Sequence, residues 1–139
     1  MKITILVFFI ILLLMQAIQI DKTNPIVDKS LEIQAPQEVM GIFKNACYDC
    51  HSNQTVWPWY SSIAPASWMI KSHVDDGRKS LDFTSWESYS KDEKTKKLKD
   101  IYRTVYAAMP LASYVSMHKK AELSKEQREL IRTWTGVRR

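Results

Sequence analysis

Apolar residues follow three different patterns along this chain. Residues 3–20 are almost continuously apolar, broken only by Thr4, Gln16 and Gln19. Asp21 to Pro36 carries two prolines and little periodicity, and reads as a linker or extended arm. From Gln37 onward apolar positions return every three or four residues, the repeat of an amphipathic helix. No stretch alternates as a strand does.

The spacing predicts a first helix from Gln37 to Tyr48, with Val39, Ile42, Phe43, Ala46 and Cys47 on one face and Cys50 continuing it. An aromatic-rich loop, His51 to Ala64, follows, with Trp57, Trp59 and Tyr60 around Pro58. Pro65 suits the first turn of a second helix, Ala66 to Asp76, which Gly77 should stop. Asp82 to Tyr89 reads as a loop or short turn carrying Phe83 and Trp86. Ser90 and Glu93 form a capping box, and Leu98, Ile101, Tyr102, Val105, Tyr106 and Met109 make one stripe behind it. Pro110 should end that helix near Met109. Ser124 and Gln127 cap a last helix, with Leu130, Ile131 and Trp134 on its apolar face and Gly136 as its stop. The expected fold is all-α: three to five short helices with long loops, plus an apolar N-terminal helix.

The chain divides into residues 1–20, a membrane anchor or signal segment; 21–36, a linker or arm; and 37–139, the folded domain. Ile3 to Ile20 is at the lower limit for a membrane span, which needs roughly 18 apolar residues. Ala17, with Met15 two positions earlier, makes a poor cleavage site. The expectation is an uncleaved single-pass anchor with Lys2 inside, and a domain on the periplasmic side of the inner membrane. The alternative is a cleaved signal leaving a soluble periplasmic domain. The formal charge of +5 is spread among acidic residues, without a basic stripe interleaved by aromatics, which argues against nucleic-acid binding.

The only two cysteines lie in one motif, Cys47-Tyr48-Asp49-Cys50-His51, so no disulfide framework staples the domain. C-x-x-C-H is the attachment pattern for c-type haem. Two thiols three positions apart can add to the two vinyl groups of a haem, and the histidine that follows falls under the iron. Three rival readings compete. A dithiol redox pair normally follows a strand, which is missing here. A zinc site would need two of His51, His73 and His118 besides the cysteines. Coincidental structural cysteines are the third.

For the second axial position Met109 is the first candidate, because it ends the stripe and precedes Pro110; a His/Met pair raises the reduction potential. His118 is the alternative, and His73 a weaker one. Trp57, Trp59, Tyr60, Trp68 and Trp86 should pack the core or cover the haem edge, and Arg78 should face water or neutralise a propionate.

Cys47 to His51, Asn24-Pro25, Trp57-Pro58-Trp59-Tyr60, Ile63-Ala64-Pro65, Gly77-Arg78, Met109-Pro110-Leu111, Tyr114 and His118 together resemble the small family of haem-binding domain proteins. The order Met-Pro, Leu-Ser, terminal helix is also similar to class I cytochromes c, where the methionine is the axial ligand. The resemblance implies a cytochrome c-like bundle around one covalent haem c, exported and tethered to the membrane. The expected function is a one-electron carrier in the periplasm that meets redox partner proteins, and not an enzyme. The alternative is a haem-based sensor or ligand-binding module with a labile sixth site. A peroxidase-like enzyme would need a distal acid or base that the sequence does not place.

Overall fold

Val39, Ile42, Phe43 and Ala46 all turn to one side of the first domain helix, and all four are buried. The computed structural model describes residues 2–138, and every regular element among them is helical, with no strand. In chain order the helices are α1 (Lys2–Met15), α2 (Gln37–Ala46), α3 (Tyr48–His51), α4 (Ala66–Ser80), α5 (Lys91–Ala107), α6 (Ala112–Met117) and α7 (Lys125–Trp134). Short 3-10 turns at Lys29–Leu31, Trp59–Ser62, Phe83–Ser88 and Lys119–Ala121 fill the connections.

An aromatic stack joins elements far apart in sequence. The Phe83 ring lies between Phe43, at 4.7 Å, and Tyr48, at 5.4 Å, while Trp134 meets Phe43 edge-on at 5.3 Å. Ile33, Val39, Phe43, Phe83 and Ile131 are almost wholly buried. Burying one such side chain stabilises by roughly 1.5–3 kcal/mol. Both expected capping boxes are present, Ser90 with Glu93 and Ser124 with Gln127.

Several expected elements differ from what forms. The first helix stops at Cys47, so the motif occupies its own single turn, α3. α4 runs through Gly77 to Ser80, because that glycine serves a close contact rather than a stop. The 82–89 segment takes the short-turn form of its two expected forms, a 3-10 turn capped by the Asp82 side chain. α6 was not expected at all. α5 ends at Ala107, two residues early, where Ala108 leaves helical geometry and the Met109 N–H turns back to the Thr104 carbonyl at 2.8 Å.

The arm is not free: Ile33 is buried and its N–H donates to the Phe83 carbonyl at 2.8 Å. The leader forms a helix of 14 residues rather than the 18-position span expected. At 1.5 Å per residue that is roughly 21 Å, against about 30 Å for a hydrocarbon core. Among the described residues no helix is long and apolar enough to cross a membrane. Just past its end the Gln16 amide bonds both the Leu12 carbonyl of the helix and the backbone of Ala64.

Candidate functional site

Cys47 is the hinge of the site. Its backbone, φ −127° and ψ −34°, ends α2, and its carbonyl accepts from the N–H groups of Cys50 (3.2 Å) and His51 (2.9 Å) to start α3. One tight turn therefore carries both thiols and the histidine. Both cysteines are free. Burial, reinforced by Cys50, pushes the Cys47 thiol up to about 12. Burial and the neighbouring Asp49 push Cys50 up to about 11. Thiols so raised stay protonated at neutral pH, the opposite of what a reactive dithiol pair requires.

The His51 ring is fixed by two carbonyls. Its Nδ1 lies 3.0 Å from the Gly77 oxygen and 3.0 Å from the Leu81 oxygen. Carbonyl oxygens only accept, so Nδ1 carries the proton and donates to both. In the neutral ring Nε2 is then the free lone pair, the form that binds metals. Burial holds the His51 pKa below its ordinary 6.5, outweighing the opposite pull of the two carbonyls, so the ring is neutral at pH 7.

α4 reaches this position only because residue 77 is glycine. A Cβ there would sit 2.4 Å from the Cys50 carbonyl oxygen and 2.9 Å from its carbon. The next residue, Arg78, is not free in water, as a surface role would have it. Its Nε donates to the Ser52 carbonyl at 2.8 Å, and its terminal nitrogen donates to Asn24 (2.7 Å) and Thr55 (2.9 Å). It ties the chain after the motif to the N-terminal arm. Asp82 holds the same stretch from another side, accepting from Asn53 (2.9 Å) and from the Thr84 N–H (2.8 Å). Asp49, between the cysteines, accepts from the Tyr114 hydroxyl (2.6 Å) and the Val56 N–H (3.0 Å).

Two cavities flank the motif. The first, about 220 Å³, is lined by Cys47, His51 and Met109 between apolar walls that include Phe43, Ile101 and Ile131. The second, about 310 Å³, is lined by Cys50, Tyr60, Ile70, His73, Leu111 and Tyr114. One cysteine faces each, and the Met109-Pro110-Leu111 segment borders both. Arg128 holds the Met109 carbonyl at 3.0 Å and also bonds the Val105 carbonyl. His118 lines neither cavity. Its Nδ1 donates to the Tyr114 carbonyl at 3.1 Å, and its ring stacks on Tyr114 at 4.2 Å. It borders instead a shallow surface recess with Lys44, Lys119 and Lys120.

The aromatic residues divide. Trp86 is core, Tyr60 lines the second cavity, the Trp68 indole bonds the Ile18 carbonyl at 3.0 Å, and Trp59 is 73% exposed. Trp57 stands apart: its Nε1 is the buried side-chain polar atom without a hydrogen-bond partner among the described residues. Its chain neighbours Val56 and Pro58 both line the second cavity.

The residues present fit a haem. A cysteine faces each cavity, a histidine offers a fixed free nitrogen, a methionine shares its cavity, and Trp57, between two residues that line the second cavity, keeps a buried donor without a partner among the described residues. They do not fit zinc, since no three His, Cys, Asp or Glu side chains gather as a metal site among the described residues. Sequence reasoning did not foresee the parts played by Gly77, Leu81, Asp82 and Arg128. Gly77 and Leu81 act through their own carbonyls and Arg128 through the carbonyls of other residues, and spacing carries no signal for such contacts.

The family model for the haem-binding domain matches residues 10–136. No curated protein and no solved structure matches the chain.

Proposed function

The chain belongs to the haem-binding domain family, and from that premise we propose that it is a c-type cytochrome transferring electrons in the periplasm. Cys47 and Cys50 would hold one haem, each by addition of its S–H across a vinyl group. His51 would be the proximal iron ligand and Met109 the distal one. A haem so bound supplies one-electron Fe(III)/Fe(II) chemistry.

The observation that carries the reading is the His51 ring, whose Nδ1–H is held by Gly77 and Leu81 so that Nε2 is free in a cavity shared with Cys47 and Met109. The paired carbonyls also make the imidazole a stronger donor to a metal. α5 and α7 give that cavity an apolar wall of Ile101, Val105 and Ile131, a surface suited to the face of a porphyrin. Met109 is favoured over His118 because it lines the cavity of Cys47 and His51, with its main chain tied at both ends to Thr104 and Arg128, while His118 lines neither cavity beside the motif. The apolar residues 3–20 support export and attachment at the periplasmic side. The cation-rich surface supports encounter with acidic redox partner proteins.

Intact-mass measurement of the chain produced in cells with a haem-attachment system tests the first step. The expected mass is the chain plus one haem, resistant to acid extraction, and Cys47→Ala with Cys50→Ala should abolish it. A chain that carries only extractable haem, or none, would reject the proposal.

A further inference from the structure

The leader is stitched to the domain. Gln16 donates from Nε2 to the Ala64 carbonyl (3.1 Å) and accepts from the Ala64 N–H (2.9 Å). The Trp68 indole donates to the Ile18 carbonyl (3.0 Å), and Asn24 donates to the Thr55 carbonyl (2.9 Å). α1 therefore leaves the fold at one defined place, beside the Trp59–Ser62 turn and the start of α4.

α1 has no buried residue, although Ile3, Phe8 and Leu13 are among its side chains. Around its exit the fold leaves more apolar surface open. Val56 is 74% exposed and Trp59 73%, with Ile18, Ile63 and Met69 also in the open. Scattered exposed apolar residues are ordinary, but a group of them at the foot of an apolar helix marks a surface meant to be covered.

We propose that this face rests on a lipid bilayer, with α1 in the hydrocarbon and Val56, Trp59 and Ile63 at the headgroup boundary. Three observations select lipid as the occupant. An apolar helix with no buried side chain is continuous with the face. A tryptophan stands at the boundary, where indole rings are enriched. At roughly 21 Å, α1 is shorter than the core it enters, so the domain is drawn down onto the surface rather than held away from it. The charged helix α5, with Lys91, Asp92, Lys96 and Lys99 exposed, suits water. Val56 and Met69 also line the second cavity, so the wall that holds Cys50 meets the bilayer surface. A redox partner is then met at the membrane. That consequence rests on the haem reading; the lipid contact itself does not.

The test uses the full chain in phosphatidylethanolamine–phosphatidylglycerol vesicles doped with a phospholipid bearing a diazirine on its acyl chain. After illumination, cross-links are located by peptide mass spectrometry, and covalent haem is scored by mass in the same sample. The expected result is labelling of both α1 and the 56–69 segment, several-fold above α5. Trp59→Asp, at a position too exposed to disturb the core, should reduce labelling of 56–69 while α1 keeps its label. Labelling confined to α1, or absent from both, would overturn the proposal. Labelling as expected in a chain without covalent haem would leave this surface standing and remove the cytochrome reading.

Discussion

Single atoms carry much of this site. The tautomer of His51 follows from two carbonyl oxygens, and one of them belongs to a residue whose missing side chain lets α4 approach. Gly77→Ala should therefore cost about 1–3 kcal/mol, as overpacking does in a tight interior. Urea unfolding would measure it, and haem attachment should fall alongside as the Cys50 backbone shifts. A fully stable, fully loaded variant would show that the close contact does not matter. Trp57 gives a second test. If its buried Nε1 finds a haem carboxylate, Trp57→Phe should cost the haem-loaded form more than the haem-free one, by the roughly 1.5–3 kcal/mol of a hydrogen bond to a charged group. Equal losses in the two forms would exclude that partner. Cys47, Cys50, His51 and Met109 were legible as candidates because motif and stripe are local in sequence. Gly77, Leu81 and Asp82 were not, because what they contribute is a carbonyl to His51 or a carboxylate to Asn53, partners more than twenty residues away.

At the level of elements, α5 and α7 work as a pair. α5 has no basic residue in its last turn, so its terminal carbonyls lack a cation of their own. α7 supplies one from outside: Arg128 bonds the carbonyls of Val105 and Met109, while Arg132 bonds that of Tyr102 at 3.0 Å and covers the Tyr106 ring at 4.0 Å. Both arginines join the two helices, but only Arg128 touches the methionine. Arg128→Leu and Arg132→Leu should lower the thermal midpoint alike, by the loss of charge-assisted bonds. Only Arg128→Leu should open the iron to carbon monoxide and weaken the sulfur-to-iron absorption band. The same opening in both variants, or in neither, would remove Arg128 from the positioning of Met109. The capping boxes at Ser90 and Ser124 show why some elements were readable: each is closed by residues three positions apart. The break at Cys47 and the short α6 had no such local signal. They arise where the chain bends around the two cavities.

Across the whole molecule, the helices form a small core that stops at the cavities. Phe43 and Ile131 belong both to the buried core and to the wall of the first cavity, so a bound haem would extend the same apolar interior. The all-helical class was legible from periodicity alone, and the number of helices was not, since six short helices lie beyond the leader where three to five were expected. The leader's attachment to Ala64 and Trp68 was likewise invisible, because polar atoms within an apolar run give no hint of where they will bond. The central claim is that His51 and Met109 close the two faces of one covalently held haem. The most direct measurement is the visible spectrum of the purified protein, oxidised and reduced, with and without carbon monoxide. The account predicts a six-coordinate haem c with a weak far-red sulfur-to-iron band, lost in Met109→Ala, and no carbon monoxide binding by the parent chain. Ready carbon monoxide binding, or a Met109→Ala spectrum identical to the parent, would contradict it.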